Sequence, residues 1–364
     1  MFTAAFDLEG PLSPQDNAYE VMQLIDNGRA LFEVISKYDD YLTLQNRADY
    51  EPGDTLKLIV PFMLVSGTTE EDVKKVSKQA KIVCGAKELI KWLQEDTWDV
   101  HIISTSYEQH AYGIASQLGV DYQKVHCTSF PLDSFVEMLG DAEKELIKAM
   151  QEEILSFYFK VGITEEMRFK VLAAKLDRFF FEQVPRTRIK AIFDQIKVVG
   201  GERKVRALMK SIGDITAIEN TAVTGDSITD YKMLQKVCHN GGLSIVFNGN
   251  IFSLPYGNVG VACTDLRPIY PIFAAFRERG LKSAFDVAAE WEDEWETFVS
   301  DPDLVPDCFM RPELRRLFAD ASDDAVFPRF SLLDRRDEER LRQIALIHHR
   351  FRSLVRGEST ARLG

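Results

Sequence analysis

The chain opens on an apolar run that stops at an acid. Met1-Phe2-Thr3-Ala4-Ala5-Phe6 is followed directly by Asp7-Leu8-Glu9-Gly10-Pro11-Leu12. A short continuous apolar run bounded by a turn predicts a strand buried on both faces. After Pro14 the period changes, and Val21, Leu24, Ile25, Leu31, Phe32 and Ile35 recur at helical spacing. Pro52-Gly53-Asp54 breaks this pattern. Thr68-Thr69-Glu70-Glu71 then predicts a helix start, with a threonine cap, acids in the first turn and a helix through Val73 and Val76. Residues 16–79 therefore read as a mostly helical insertion. The amphipathic stretch 86–93 leads into Val100-His101-Ile102-Ile103, a second buried strand that ends in Ser104-Thr105-Ser106. A helix over about 107–118, stopped by Gly119, completes a βαβ-type unit and implies a parallel sheet.

The hundred positions between Ser104 and Lys204 exceed what one helix–strand unit requires, so residues 131–194 read as a second helical insertion. Its aromatic triplets, Phe157-Tyr158-Phe159 and Phe179-Phe180-Phe181, are expected to pack its own core rather than line a pocket. Residues 196–199 read as an apolar strand, followed by the turn Gly200-Gly201 and by Lys204 at a helix start. Ala222-Val223-Thr224 runs into Gly225-Asp226-Ser227-Ile228-Thr229-Asp230. Leu243–Phe247 predicts another strand, and Val259–Ala262 the last one of the core. Beyond residue 280 the pattern is helical. Leu341, Ile344, Ile347, Phe351 and Leu354 form an apolar stripe there, with the flanking arginines expected on the opposite face. Docking of this helix on its own core is the favoured reading; pairing with a second copy or a partner protein is the alternative.

The pattern as a whole predicts an α/β protein with a doubly wound, Rossmann-like parallel sheet. Segments 1–15, 80–130 and 195–280 build the core, 16–79 and 131–194 are helical insertions, and 281–364 is a helical extension. Composition is that of an ordinary globular chain, with 364 residues, 45% of them hydrophobic. The net charge of −13 argues against broad nucleic-acid binding and against an anionic membrane surface. It does not exclude an anionic substrate, because a metal and one lysine can reverse the local sign. Five cysteines, at 84, 127, 238, 263 and 308, include no C-x-x-C pair, which argues against a disulfide framework or structural zinc. A reducing cytoplasm is the expected setting. The longest apolar run, 56–65, is too short for membrane insertion.

Charge placement narrows the chemistry. Asp7 and Glu9, two residues apart at a strand end, project to one side if the chain is still extended, and Gly10 lets the backbone turn close to a ligand. Such acids suit a nucleophile and a cation. Together with Ser104, Lys204, Asp226 and Asp230, each near a predicted strand end, the ordered set resembles the haloacid dehalogenase superfamily, most of whose members are magnesium-dependent phosphatases. The resemblance implies Asp7 as nucleophile and Glu9 as general acid/base. It implies Ser104, with Thr105 and Gly10 beside it, and Lys204 as phosphate-binding groups. It also implies a Mg2+ ion held by Asp7, Glu9 through its backbone carbonyl, Asp226 and Asp230. In this superfamily 16–79 is the place of a cap domain. Most of its phosphatases carry Asp where Glu9 stands, although a phosphoserine phosphatase-like branch also shows Asp-Leu-Glu-Gly. The two-insertion layout is similar to archaeal members grouped with an energy-converting hydrogenase complex. The expected function is hydrolysis of a small phosphorylated metabolite through an aspartyl phosphate. A non-catalytic subunit of a larger complex and a phosphotransferase are the alternatives.

Overall fold

The computed structural model describes residues 1–161, 166–307, 310–320 and 327–358. The fifth cysteine, Cys308, lies outside them; the other four are free. Seven strands form one sheet in the order β3-β2-β1-β4-β5-β6-β7. They are β1 (Thr3–Phe6), β2 (Asp99–Tyr107), β3 (Val125–Thr128), β4 (Thr221–Gly225), β5 (Leu243–Phe247), β6 (Val259–Ala262) and β7 (Arg329–Leu332). The first six are parallel, so their carboxyl ends share one edge. The sheet is α/β and doubly wound, as the sequence pattern predicts. Strand β1 is central, and successive residues feed opposite cores. Ala4 and Phe6 pack with Val100, Ile102 and Phe273, whereas Ala5 packs with Ile103, Val223 and Leu234. Burial on both faces explains why β1 reads as an unbroken apolar run.

Two sequence expectations about the sheet fail. Residues 196–199 form no strand; Ile196 and Val198 are buried in the helical body instead, and the chain reaches Lys204 through an irregular connection. Apolar character there reflects burial, which periodicity over four residues does not distinguish from pairing. The 281–364 segment is not wholly helical, and β6 is not the last strand. β7 pairs antiparallel with β6, Val261 opposite Phe330. It anchors the aromatic group Trp291, Phe318, Phe327 and Phe330, with Trp291 and Trp295 both donating to the Pro328 carbonyl at 2.9 and 3.1 Å.

Helices within 16–79 and 131–194 share a single apolar core, in which Ile35, Tyr38 and Phe62 meet Ile154, Leu176 and Phe180. Polar ties reinforce it: Asp177 Oδ1 accepts from the Tyr38 hydroxyl at 2.6 Å and from Arg47 Nη1 at 2.9 Å. Phe179 and Phe180 are buried in this core, as expected, while Phe159 is exposed. Thr69 caps the helix Glu70–Lys78 in a capping box closed by Asp72. This body faces the carboxyl edge of the sheet through the loop 51–54. Lys232 binds Glu51 at 2.9 Å, Arg203 binds Asp54 at 2.6 Å, and the Glu202 amide donates to Glu51 at 3.0 Å. Among the described residues no helix is long and apolar enough to cross a membrane.

Candidate active site

Strand ends β1 and β4 lie side by side, with Phe6 opposite Thr224 and the Asp7 amide donating to the Thr224 carbonyl at 2.8 Å. This register brings Asp7 and Asp226 to one point of the edge. Gly10 is needed there for two reasons: its φ is +115°, and a Cβ on it would fall 2.3 Å from Asp226 Oδ2. The helix Glu202–Ile212 then brings Lys204 to Asp7. Lys204, fully buried, donates from Nζ to Asp7 Oδ1 at 2.6 Å and to Asp230 Oδ1 at 2.7 Å. Asp230 spends its other oxygen on the turn, accepting from the amides of Asp226 at 3.0 Å and Ser227 at 3.1 Å.

Oxygens of Asp7, Asp226 and Asp230 lie within 4.8 Å of one another. Burial and the neighbouring Asp230 push the Asp7 carboxyl up, against the pull of Lys204. Burial works against the Lys204 charge as well, but Asp230 and Asp7 outweigh it and hold the ammonium protonated. Asp226 Oδ1 is buried without a hydrogen-bond partner among the described residues. Three hard oxygen donors, one of them unsatisfied, fit a small divalent cation such as Mg2+. Glu9 adds no carboxylate to this cluster. Its Oε1 accepts from the Asn17 amide at 2.9 Å, and burial, with Asp16 next, pushes its pKa up to about 7.

Asp7 and Glu9 line a half-open cleft beside this cluster, whereas Lys204, Asp226 and Asp230 are buried outside its lining. Core residues Asp7, Glu9, Thr105 and Thr229 meet Phe32, Ser36, Asp39 and Leu56 of the helical body across it. Gly53 closes the approach, since a Cβ there would meet the Thr105 methyl at 2.7 Å. Thr105 Oγ1 is buried without a hydrogen-bond partner among the described residues, whereas Ser104 is wholly buried and its hydroxyl accepts from the Ser106 amide at 3.0 Å. Of the two, Thr105 lines the cleft.

Four cleft residues escape the sequence reading. Asp16 looks like a helix cap and is one, accepting from the Tyr19 amide at 2.9 Å. Asp39 is held up at about 6 by burial. Arg352 and Arg356 overturn the expectation that the arginines of the last helix, Glu338–Arg356, face away from its apolar stripe. Arg352 is buried and bonds Asp226 Oδ2, and Arg356 bonds the same oxygen at 3.0 Å. Conversely Leu354, assigned to the stripe, is 56% exposed. The buried face is rotated toward His348 and Arg352. The row His348, Arg352, Arg356 at four-residue spacing was the available signal.

The motif residues Asp7, Asp226 and Asp230 thus gather at the carboxyl edge of this doubly wound sheet. No protein-family model matches the sequence, and no curated protein does. Among solved structures, the chain is similar along its whole length to gene product AF1437 from Archaeoglobus fulgidus. The identity is 27%, 100% of this chain and 99% of that one are covered, and the TM-score is 0.76. A phosphoserine phosphatase in apo form matches at 16% identity over 74% of this chain and 96% of its own, with a TM-score of 0.45. A hydrolase of the haloacid dehalogenase family from Salmonella enterica serovar Typhi matches at 11% identity over 68% and 62%, with a TM-score of 0.42.

Proposed function

We propose that the chain is a magnesium-dependent phosphatase that hydrolyses a small phosphomonoester through Asp7. The observation that carries this is the buried Lys204 ammonium shared by Asp230 and by Asp7, the strand-end acid that lines the cleft. Asp7 is the nucleophile, attacking phosphorus to give an aspartyl phosphate that water then cleaves. Lys204 holds Asp7 in place and stabilises the charge that builds on the phosphoryl oxygens. The Thr105 hydroxyl, which has no hydrogen-bond partner among the described residues, donates to one of those oxygens. Asp7, Asp226 and Asp230 would hold Mg2+, which when bound supplies positive charge against the phosphoryl group. Glu9, carrying a proton near neutrality, protonates the leaving oxygen and afterwards takes a proton from water. The enclosing helical body excludes bulk water and limits the substrate to a small polar ester.

A panel of phosphorylated metabolites, assayed with Mg2+ and with chelator, tests the proposal. Turnover is expected only with Mg2+, and Asp226→Asn should raise the Mg2+ needed for half-maximal rate by about tenfold or more, since one of few carboxylate ligands loses its charge. Absence of turnover in every arm would instead support a non-catalytic subunit.

The acid/base role of Glu9 has its own signature. Glu9→Gln should slow hydrolysis of an alkyl phosphate by about 10²-fold or more. With p-nitrophenyl phosphate, whose leaving group needs no proton, the first step should persist and phosphoenzyme should accumulate. Rapid-quench measurement of a p-nitrophenol burst checks this. Equal losses on both esters without a burst would leave the Glu9 side chain without that role.

A further inference from the structure

Asp226, the acid expected to meet the ion, already carries two protein cations. Arg352 is 1% exposed, its Nη1 bonds Asp226 Oδ2, and it lies 3.4 Å from the carbonyls of Asp226 and Asn248. Arg356, one turn on, reaches the same Oδ2 at 3.0 Å with a side chain 6% exposed. The helix that bears them is fixed from within. One turn before Arg352, buried His348 accepts the Gly249 amide at Nδ1 at 2.9 Å, and Leu341, Ile344 and Phe351 are buried beside it. The guanidiniums are thus built into the site.

Their placement changes the charge balance. Lys204 serves Asp7 and Asp230, and the arginine pair serves Asp226, so each of the three clustered carboxylates touches a protein cation before any ion arrives. A divalent ion at Asp226 would stand beside two like charges, and in a buried site such repulsion is poorly screened. Arg356 also has donor capacity to spare, because its Nε is buried without a hydrogen-bond partner among the described residues. Both arginines line the cleft where a phosphoryl group would sit.

Resting on the phosphatase reading of this cleft, we infer that Arg352 and Arg356 are an internal counter-ion of Asp226 that an arriving phosphoryl group draws away. The guanidinium donors pass from Asp226 Oδ2 to the phosphoryl oxygens, which are the better bidentate acceptors. Asp226 is then released to the divalent ion. Ion and phosphate consequently load together, each strengthening the other by the same factor. Without phosphate the carboxylate cluster binds metal weakly.

Mn2+ titrations of the full chain, followed by the electron paramagnetic resonance of the free ion, test this with and without inorganic phosphate. In the unaltered protein phosphate should tighten Mn2+ binding by about tenfold or more, the scale of a strong coupling between sites. Arg356→Met should bind Mn2+ about tenfold more tightly by itself and lose most of the phosphate effect. Arg352→Met should do the same. If removing that buried group unfolds the helix by circular dichroism, Arg356→Met at the helix end decides alone. Mn2+ binding to Arg356→Met that is unchanged or weaker, with the phosphate effect intact, overturns the inference and leaves the metal site standing. Absence of Mn2+ binding in every protein, with and without phosphate, overturns both.

Discussion

Asp7→Asn is expected to abolish phosphatase turnover while the fold survives. Asparagine keeps the shape of the side chain, and its Oδ1 can still accept from Lys204 Nζ and from the Leu8 amide, which now lie 2.6 and 2.8 Å away. What disappears is the anionic nucleophile. Loss of a nucleophile in a covalent mechanism lowers kcat by about 10⁴-fold or more. Removing one of three crowded carboxylates also relieves repulsion, so the melting temperature should hold or rise slightly. Steady-state phosphate release, on protein whose mass confirms the amide, checks the first expectation, and calorimetry checks the second. Retained turnover would move the nucleophile elsewhere.

Lys204→Met is expected to damage both rate and stability. The ammonium lies between Asp7 and Asp230 with no solvent exposure, and methionine offers similar volume without charge. Removing one partner from a buried ion cluster costs about 3–5 kcal/mol, because the remaining charges are left uncompensated. The rate should fall by about 10²–10³-fold, the effect of removing one preorganised electrostatic contact. Lys197 and Lys210 lie near in sequence but are exposed. Their methionine variants should stay within about 0.5 kcal/mol of the parent and keep full rate. Denaturant unfolding and kcat measured on all three variants make the comparison, and equal losses across the three would refute the assignment to Lys204.

Much of this arrangement was legible in the residues. An apolar strand that ends in an acid has a periodicity and a stop, and both β1 with Asp7 and β4 with Asp226 show them. Lys204 could be chosen over its neighbours because Gly200-Gly201 marks the turn before its helix, although the segment ahead of that turn is not a strand. Strand β7 was hidden because four residues give too little alternation to stand out from the helical pattern around them. Arg352 was hidden for a different reason. Arginine usually signals an exposed face, and its burial depends on Asp226, a partner 126 positions away. The merging of two insertions into one body is likewise a matter of long-range packing, which local pattern does not encode.

The loop 51–54 joins the helical body to the core through opposite charges, Glu51 with Lys232 and Asp54 with Arg203, where the basic side chains are 29% and 23% exposed. Widening the cleft at this seam means parting those charges, and dissolved ions reduce the work of doing so. The reacting groups below are shut off from solvent and feel little of that screening. On the phosphatase reading, admission and release of small molecules are therefore expected to answer to ionic strength, and bond making and breaking are not. The seam and the buried charges beneath it are thus held by forces that the surrounding medium adjusts separately.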